Sequence, residues 1–255
     1  MKLFAAAFAL ALVWGANAAD NDYRISDPVA HDNLTVFLIR GTSHSAGKLL
    51  TLADAIAQHK VIVYETKQVN ELAIENISKD EDVFIQSGDI VKGGQQDRTL
   101  KEDMILGANS GRLNIDAFCV ESGRWTRRGQ EAAGTFGSSN DMIATKELKK
   151  AVRADANQSE VWSQVQVTQG RLAASTAQSV TVAASPTSLQ MSMETLAVAR
   201  STKGYLKALS GIVNGQRDVV GYAFAINGKL NSAAGERRGS GSGLPAQREV
   251  RPAAG

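Results

Sequence analysis

An α+β fold is predicted for this chain: an antiparallel β-rich first half built as a sheet or sandwich, helices in the second half and a returning C-terminal strand. Three observations carry it. Short β-branched and aromatic runs crowd the chain up to Val120, divided by turn sequences such as Ser87-Gly88-Asp89, Gly93-Gly94 and Asn109-Ser110-Gly111. Helical spacing dominates after Gly129. A last apolar run, Val219 to Ile226, ends in Asn227-Gly228, a pair favoured in two-residue hairpin turns. No β-α-β alternation with a glycine-rich phosphate loop occurs, which argues against a doubly wound dinucleotide fold.

Taken in order, the chain opens on Met1 and the basic Lys2, followed by an apolar run to Trp14 and the A-x-A ending of Gly15-Ala16-Asn17-Ala18-Ala19. That pattern predicts a secretory signal peptide over 1–19, too short for a membrane span of about 20 apolar residues. Leu34 to Ile39 is a predicted strand. Between Ala46 and Gln58, Leu49, Leu52, Ala53, Ile56 and Ala57 recur at helical spacing and predict an amphipathic helix. Val61 to Tyr64, Ile74, Val83 to Ile85 and Ile90-Val91 mark further short strands. From Arg112 to Val120 a period of two sets Leu113, Ile115, Ala117 and Cys119 on one face. Gly134 to Asn140 is a predicted loop and Asp141 to Ala154 a helix. Asn157 caps the next helix, with Glu160 at its third position and Val161, Val165, Thr168 and Leu172 on one face. Ser185-Pro186-Thr187 opens a helical stretch over Leu189 to Leu209, with a break expected near Gly204.

The boundaries that follow are a signal peptide over 1–19, one α+β domain over 20–233 and a tail over 234–255. The formal charge of +2 is uneven. Lys2 belongs to the signal segment and the tail carries four Arg against two Glu, which leaves the body near −1. No basic stripe with interleaved aromatics exists, so no nucleic-acid groove is expected. No membrane association is expected after signal cleavage, and a periplasmic or secreted location follows. A single cysteine in an exported chain leaves stability to packing alone. No metal-ligand or cofactor spacing is present, so neither metal nor cofactor is expected. No feature of the sequence sets an oligomeric state.

Three segments carry a resemblance: Lys92 to Arg98 (KGGQQDR), Phe118 to Trp125 (FCVESGRW) and Tyr222 to Ser232 (YAFAINGKLNS). They resemble the signature segments of the ARG and rhodanese-phosphatase-superfamily-associated protein domain, a bacterial family of uncharacterised activity. The resemblance covers about Leu34 to Ala233. The family name implies association with ADP-ribosylglycohydrolase and rhodanese-phosphatase proteins, hence an expectation of nucleotide-derived ligands. Members of the family usually continue past the Asn-Ser segment into a further helical region. This chain instead turns to Gly, Arg, Ser, Ala and Pro from Ala234, read either as a disordered extension or, preferably, as an out-of-frame ending.

Candidate chemistry concentrates in the polar turns. Cys119 is in phase with Leu113, Ile115 and Ala117, so it reads first as a buried small hydrophobe and second as a nucleophile; His31, His44 and His59 form no motif with it. Gln96, Asp97, Arg98, Glu121, Arg124 and Trp125 form the candidate ligand-binding set. Arg offers bidentate contact to carboxylate or phosphate, and Trp a face for a base or sugar. The bland alternative pairs Asp97 and Glu121 with Arg98 and Arg124 across neighbouring strands. Asp97 and Glu121 are also weak catalytic candidates as an acid and base pair. Gly88, Gly93, Gly94 and Asn227-Gly228 read as turn residues, with Asn231 a weaker polar contact. The leading expectation is an exported domain binding an anionic, ring-bearing small molecule of nucleotide or sugar type. The alternatives are a hydrolase using the two carboxylates, and a structural or interaction module of the envelope.

Overall fold

The computed structural model describes residues 23–42, 48–139 and 144–235. The signal segment and the tail from residue 236 onward lie outside the described residues. The strands are β1 (Arg24–Ile25), β2 (Val29–His31), β3 (Leu34–Arg40), β4 (Lys48–Thr51), β5 (Val61–Glu65), β6 (Glu71–Asn76) and β7 (Glu81–Ile85). They continue as β8 (Ile90–Gly93), β9 (Arg98–Leu100), β10 (Met104–Leu106), β11 (Gly111–Cys119), β12 (Thr135–Ser138), β13 (Val219–Ile226) and β14 (Lys229–Gly235). The α-helices are α1 (Leu52–Ala57), α2 (Lys146–Lys150), α3 (Gln158–Thr176), α4 (Leu189–Met193) and α5 (Leu196–Leu209). This is the expected α+β class, with the antiparallel strands of the first half closing on themselves.

Closure gives a barrel in the order β11-β6-β5-β12-β8-β9, every pair antiparallel. Two strands change partner to make it possible. β11 pairs with β6 from Gly111 to Asp116 and with β9 from Ala117 to Cys119. β12 bridges β5 at Thr135 and Phe136 and β8 from Phe136 to Ser138. Alternate side chains point inward, so Val63, Leu72, Ile74, Val91, Leu100, Ile115, Ala117 and Phe136 fill the interior. α1 and the small β10-β7-β4 sheet add Leu52, Ala55, Val83, Ile85 and Leu106 to the same core. Outside the barrel, Ile90, Phe118 and Val120 pack against Leu148, Val152, Val161, Val165 and Leu189 of the helical second half.

The returning strand β13 pairs with β3 over most of its length and with β14 on its other side, in a sheet completed by β1 and β2. Asn227 and Gly228, with φ of 51° and 73°, make the β13–β14 turn in the left-handed geometry a tight hairpin requires. Asn157 caps α3 as expected, its side chain accepting from Ser159 N and Glu160 N.

Four expectations change. The predicted helix over 46–58 is a strand followed by a shorter helix: Lys48 to Thr51 pairs in parallel with β7, and Thr51 caps α1 by accepting from Asp54 N at 3.1 Å. Its helical spacing rests partly on Leu49, which lies in β4 and is partly exposed. The predicted loop over 134–140 contains β12, whose four residues show too little pattern to be read locally. The helix predicted over 141–154 starts at Lys146, capped by Thr145, and widens into a π-helical turn from Ala151 to Asp155; residues 141–143 lie outside the described residues. The stretch over 189–209 breaks at Glu194 and Thr195 rather than at Gly204. Thr195 is extended at the head of α5, whereas α5 runs on through Gly204, a glycine costing only about 1 kcal/mol inside a helix.

Candidate functional site

Strand pairing brings the two polar turns together. The β8–β9 hairpin turns at Gly93 and Gly94, with φ of 128° and 55°. A Cβ on Gly94 would stand 2.5 Å from Phe136 Cζ and 2.7 Å from a Glu65 carboxylate oxygen, so only glycine fits there. One rung beyond the β9–β11 ladder, Val120 N donates to Asp97 O at 3.1 Å, which sets Asp97 beside Glu121.

The carboxylates are then enclosed by donors. Glu121 Oε1 accepts from Asp97 N at 2.9 Å and from Arg124 Nε at 2.8 Å, and Arg124 Nη2 closes a short ion pair on the same oxygen. Its other oxygen accepts from Ser185 Oγ at 2.9 Å. Asp97 Oδ1 accepts from Gly93 N at 3.0 Å and lies 3.4 Å from Arg124 Nη2, while Ser188 Oγ donates to Oδ2 at 3.3 Å. Arg124 Nη1 donates to Thr126 O at 2.6 Å. Asp97 and Glu121 are fully buried and the Arg124 side chain nearly so. Burial and the neighbouring Glu121 push the Asp97 carboxyl up to about 6, against the pull of Gly93 N–H, Arg128 and Arg124.

Helical residues supply the outer wall. Trp162 Nε1 of α3 donates to Glu121 O at 3.1 Å, and Thr187 exchanges hydrogen bonds with the backbone of Ser122. Ser188 also caps α4, accepting from Met191 N at 3.1 Å. Sequence reasoning read Ser185-Pro186-Thr187 only as a helix start and passed over Trp162. The signal available was a cluster of hydroxyl residues immediately before an apolar helix, which can cap and contact at once.

The remaining candidates lie elsewhere. Arg98 is opposite Cys119 and Val91 in the strand register and in phase with Leu100, so it points into the barrel, as does Gln96 beside it. Cys119 is buried in the interior, and burial pushes its thiol up despite the opposing pull of Arg98. The Gln158 amide holds the Cys119 backbone on both sides, donating to its carbonyl at 2.8 Å and accepting from its N–H at 2.9 Å. This is the position of a structural residue at a strand end. Trp125 is 51% exposed on the irregular loop after Glu121, followed by the exposed Arg127. Arg128 pairs with Glu131 at 2.6 Å and with Glu194 at 3.3 Å, and Lys92 reaches Glu194 at 3.2 Å.

The structure therefore unites Asp97, Glu121 and Arg124, sets Gln96 and Arg98 behind them in the barrel, and leaves Trp125 in front. Among the described residues no group of His, Cys, Asp and Glu is arranged to hold a metal ion, and no helix is long and apolar enough to cross a membrane. The profile of the ARG and Rhodanese-Phosphatase-superfamily-associated Protein domain family matches residues 22–234, and the chain belongs to that family. No curated protein and no solved structure matches the chain.

Proposed function

Starting from a member of a family without an assigned activity, we propose that the protein is an exported binding domain for an anionic, ring-bearing small molecule of nucleotide or sugar type. The ligand docks on the outer face of the loop from Arg124 to Arg128. One observation carries this reading: a half-exposed Trp125 two residues before the exposed Arg127, on a loop whose root is fastened by the buried Glu121, Arg124 and Asp97 network. An indole face stacks a base or sugar ring, and an exposed guanidinium on the same loop meets phosphate or carboxylate. The buried network gives that pair a rigid base, which lowers the ordering cost of binding. In this reading Asp97 and Glu121 position the loop and do not touch the ligand. Export is supported by the basic, apolar and small-residue pattern of residues 1–19.

Calorimetric titration with ADP-ribose, adenosine nucleotides and simple sugars tests it. Binding of one ligand class is expected, weakened at least tenfold in Trp125→Ala and Arg127→Ala with folding intact. Unchanged affinity in both variants overturns the reading.

One observation favours the hydrolase alternative. Asp97 and Glu121 share Arg124, and burial raises the Asp97 carboxyl to about 6, the kind of environment that holds a proton for general-acid chemistry. Both carboxylates are enclosed by Ser185, Ser188, Gly93 N and Arg124, so this reading requires the loop to open. Turnover of the bound ligand, lost in Asp97→Asn, would establish it.

A further inference from the structure

The strongest unexplained feature is a positive charge inside the barrel. Arg98 is 2% exposed and Gln96 wholly buried. Arg98 Nη1 donates to Gln96 O at 3.0 Å and to Gln96 Oε1 at 3.4 Å, yet Arg98 Nε and Gln96 Nε2 have no hydrogen-bond partner. No described carboxylate forms an ion pair with the guanidinium. Glu65 accepts from Lys67 N at 2.9 Å and Gln95 N at 3.2 Å, and Glu121 is committed to Arg124, Asp97 N and Ser185. The Cys119 thiol opposite is held protonated by burial and supplies no countercharge. A buried, unpaired guanidinium costs several kcal/mol, more than a domain of ordinary stability readily tolerates.

We propose that the Arg98 Nε and Gln96 Nε2 donors bind a halide-sized inorganic anion inside the mouth of the barrel. The chemistry of the surroundings selects an anion over water. Both orphaned groups are donors. Of the two side chains opposite Arg98 in register, Val91 has no polar atom and the Cys119 thiol is only a weak acceptor. Leu100 and Ala117, one step further along the strands, are apolar, so the site is poor in acceptors for the hydrogens of a water molecule. A halide accepts from several donors at once, donates nothing and neutralises the charge. Gln96 lies in the turn joining β8 to β9, so the site is at the barrel end and local opening of that turn admits an ion. It is separate from the outer face of the Arg124 to Arg128 loop and does not depend on it.

Two measurements test the proposal. A crystal soaked in sodium bromide should give an anomalous peak within hydrogen-bonding distance of Arg98 Nε and Gln96 Nε2. Thermal unfolding at fixed ionic strength should rise by a constant increment per tenfold exchange of gluconate for chloride once the site begins to saturate. Gln96→Glu supplies the missing countercharge in place, and should unfold at one temperature in both salts, above the wild type in gluconate. Arg98→Met should also lose the chloride response. A water-sized peak without bromide signal, or an equal chloride response in wild type and Gln96→Glu, overturns the site.

Discussion

The barrel and the β3-β13-β14 sheet use similar residues to very different effect. In the barrel, Val63, Leu72, Ile74, Val91 and Leu100 are fully buried, and Phe118 and Val120 are covered from outside by α2 to α4. In the outer sheet only Leu38, Val220 and Ala225 reach burial, and the neighbouring α5 buries Val198 alone while Leu196 and Leu206 remain 73% and 58% exposed. Closure explains the contrast. A closed sheet has a covered inner face and no free edge, and the helices cover part of its outer face, whereas an open sheet must find a partner for each face and edge. Stability should therefore reside in the barrel, and the polar network that roots the Arg124 loop is built on its most stable part.

The sharpest way to break that comparison is Glu121→Ala. It leaves Asp97 N and Ser185 without their acceptor and Arg124 with only Thr126 O and the more distant Asp97 carboxylate. A loss of about 3–5 kcal/mol is expected in urea unfolding, as for other buried ion pairs deprived of one partner. The corresponding outer-sheet change, Arg40→Ala, removes a half-exposed pair with Asp218 at 3.3 Å and should cost less than about 1 kcal/mol. Equal costs would end the idea of a stable barrel and a soft outer sheet.

Ile74→Ala in the barrel should cost about 2–5 kcal/mol through the cavity it leaves, with native-state hydrogen exchange slowest in β5, β6 and β11 and fastest in β14. Uniform protection across the two regions contradicts the comparison.

The third test uses pH. Asp97 and Asp89 are both raised from 3.8 to about 6, chiefly by burial, so the folded chain binds their protons more tightly than the unfolded one. Their ionisation therefore costs stability as pH rises from about 4 to about 6, and that cost is absent below about 4. Asp97→Asn should remove a component on the order of 2–3 kcal/mol from the change in unfolding free energy between pH 4 and 7, read from urea midpoints. A slope as steep as the wild type's would show that Asp97 is not the group responsible. The smallest effect belongs to Leu196→Ser, expected within about 0.5 kcal/mol of wild type because the side chain is mostly in water already.

Local signals predicted what local forces determine. The alternation of Ile115, Ala117 and Cys119, the Asn157 cap and the Asn227-Gly228 turn were legible because each depends on neighbours a few residues away. Barrel closure was not, because it depends on β11 and β12 each serving two partners distant in sequence. The strand from Lys48 to Thr51 reads as helix because its leucines fit a helical face as well as a short strand in which one packs on the core and the other faces out. The meeting of Asp97, Glu121 and Arg124 could be suspected from their turns, but the inward path of Arg98 could not. Its direction is set by strand register, and a charged residue is an unusual choice for an interior position.

The order of the barrel strands has a further consequence for how the chain is made. The last stave to leave the ribosome, β12, is inserted between β5 and β8, two strands synthesised far earlier. Until Ser138 has emerged, those two earlier strands face each other across a gap with their backbone groups bare. A fragment ending before Thr135 should thus be sticky and prone to pair with other copies, whereas one carrying the stave through Ser138 should close the gap.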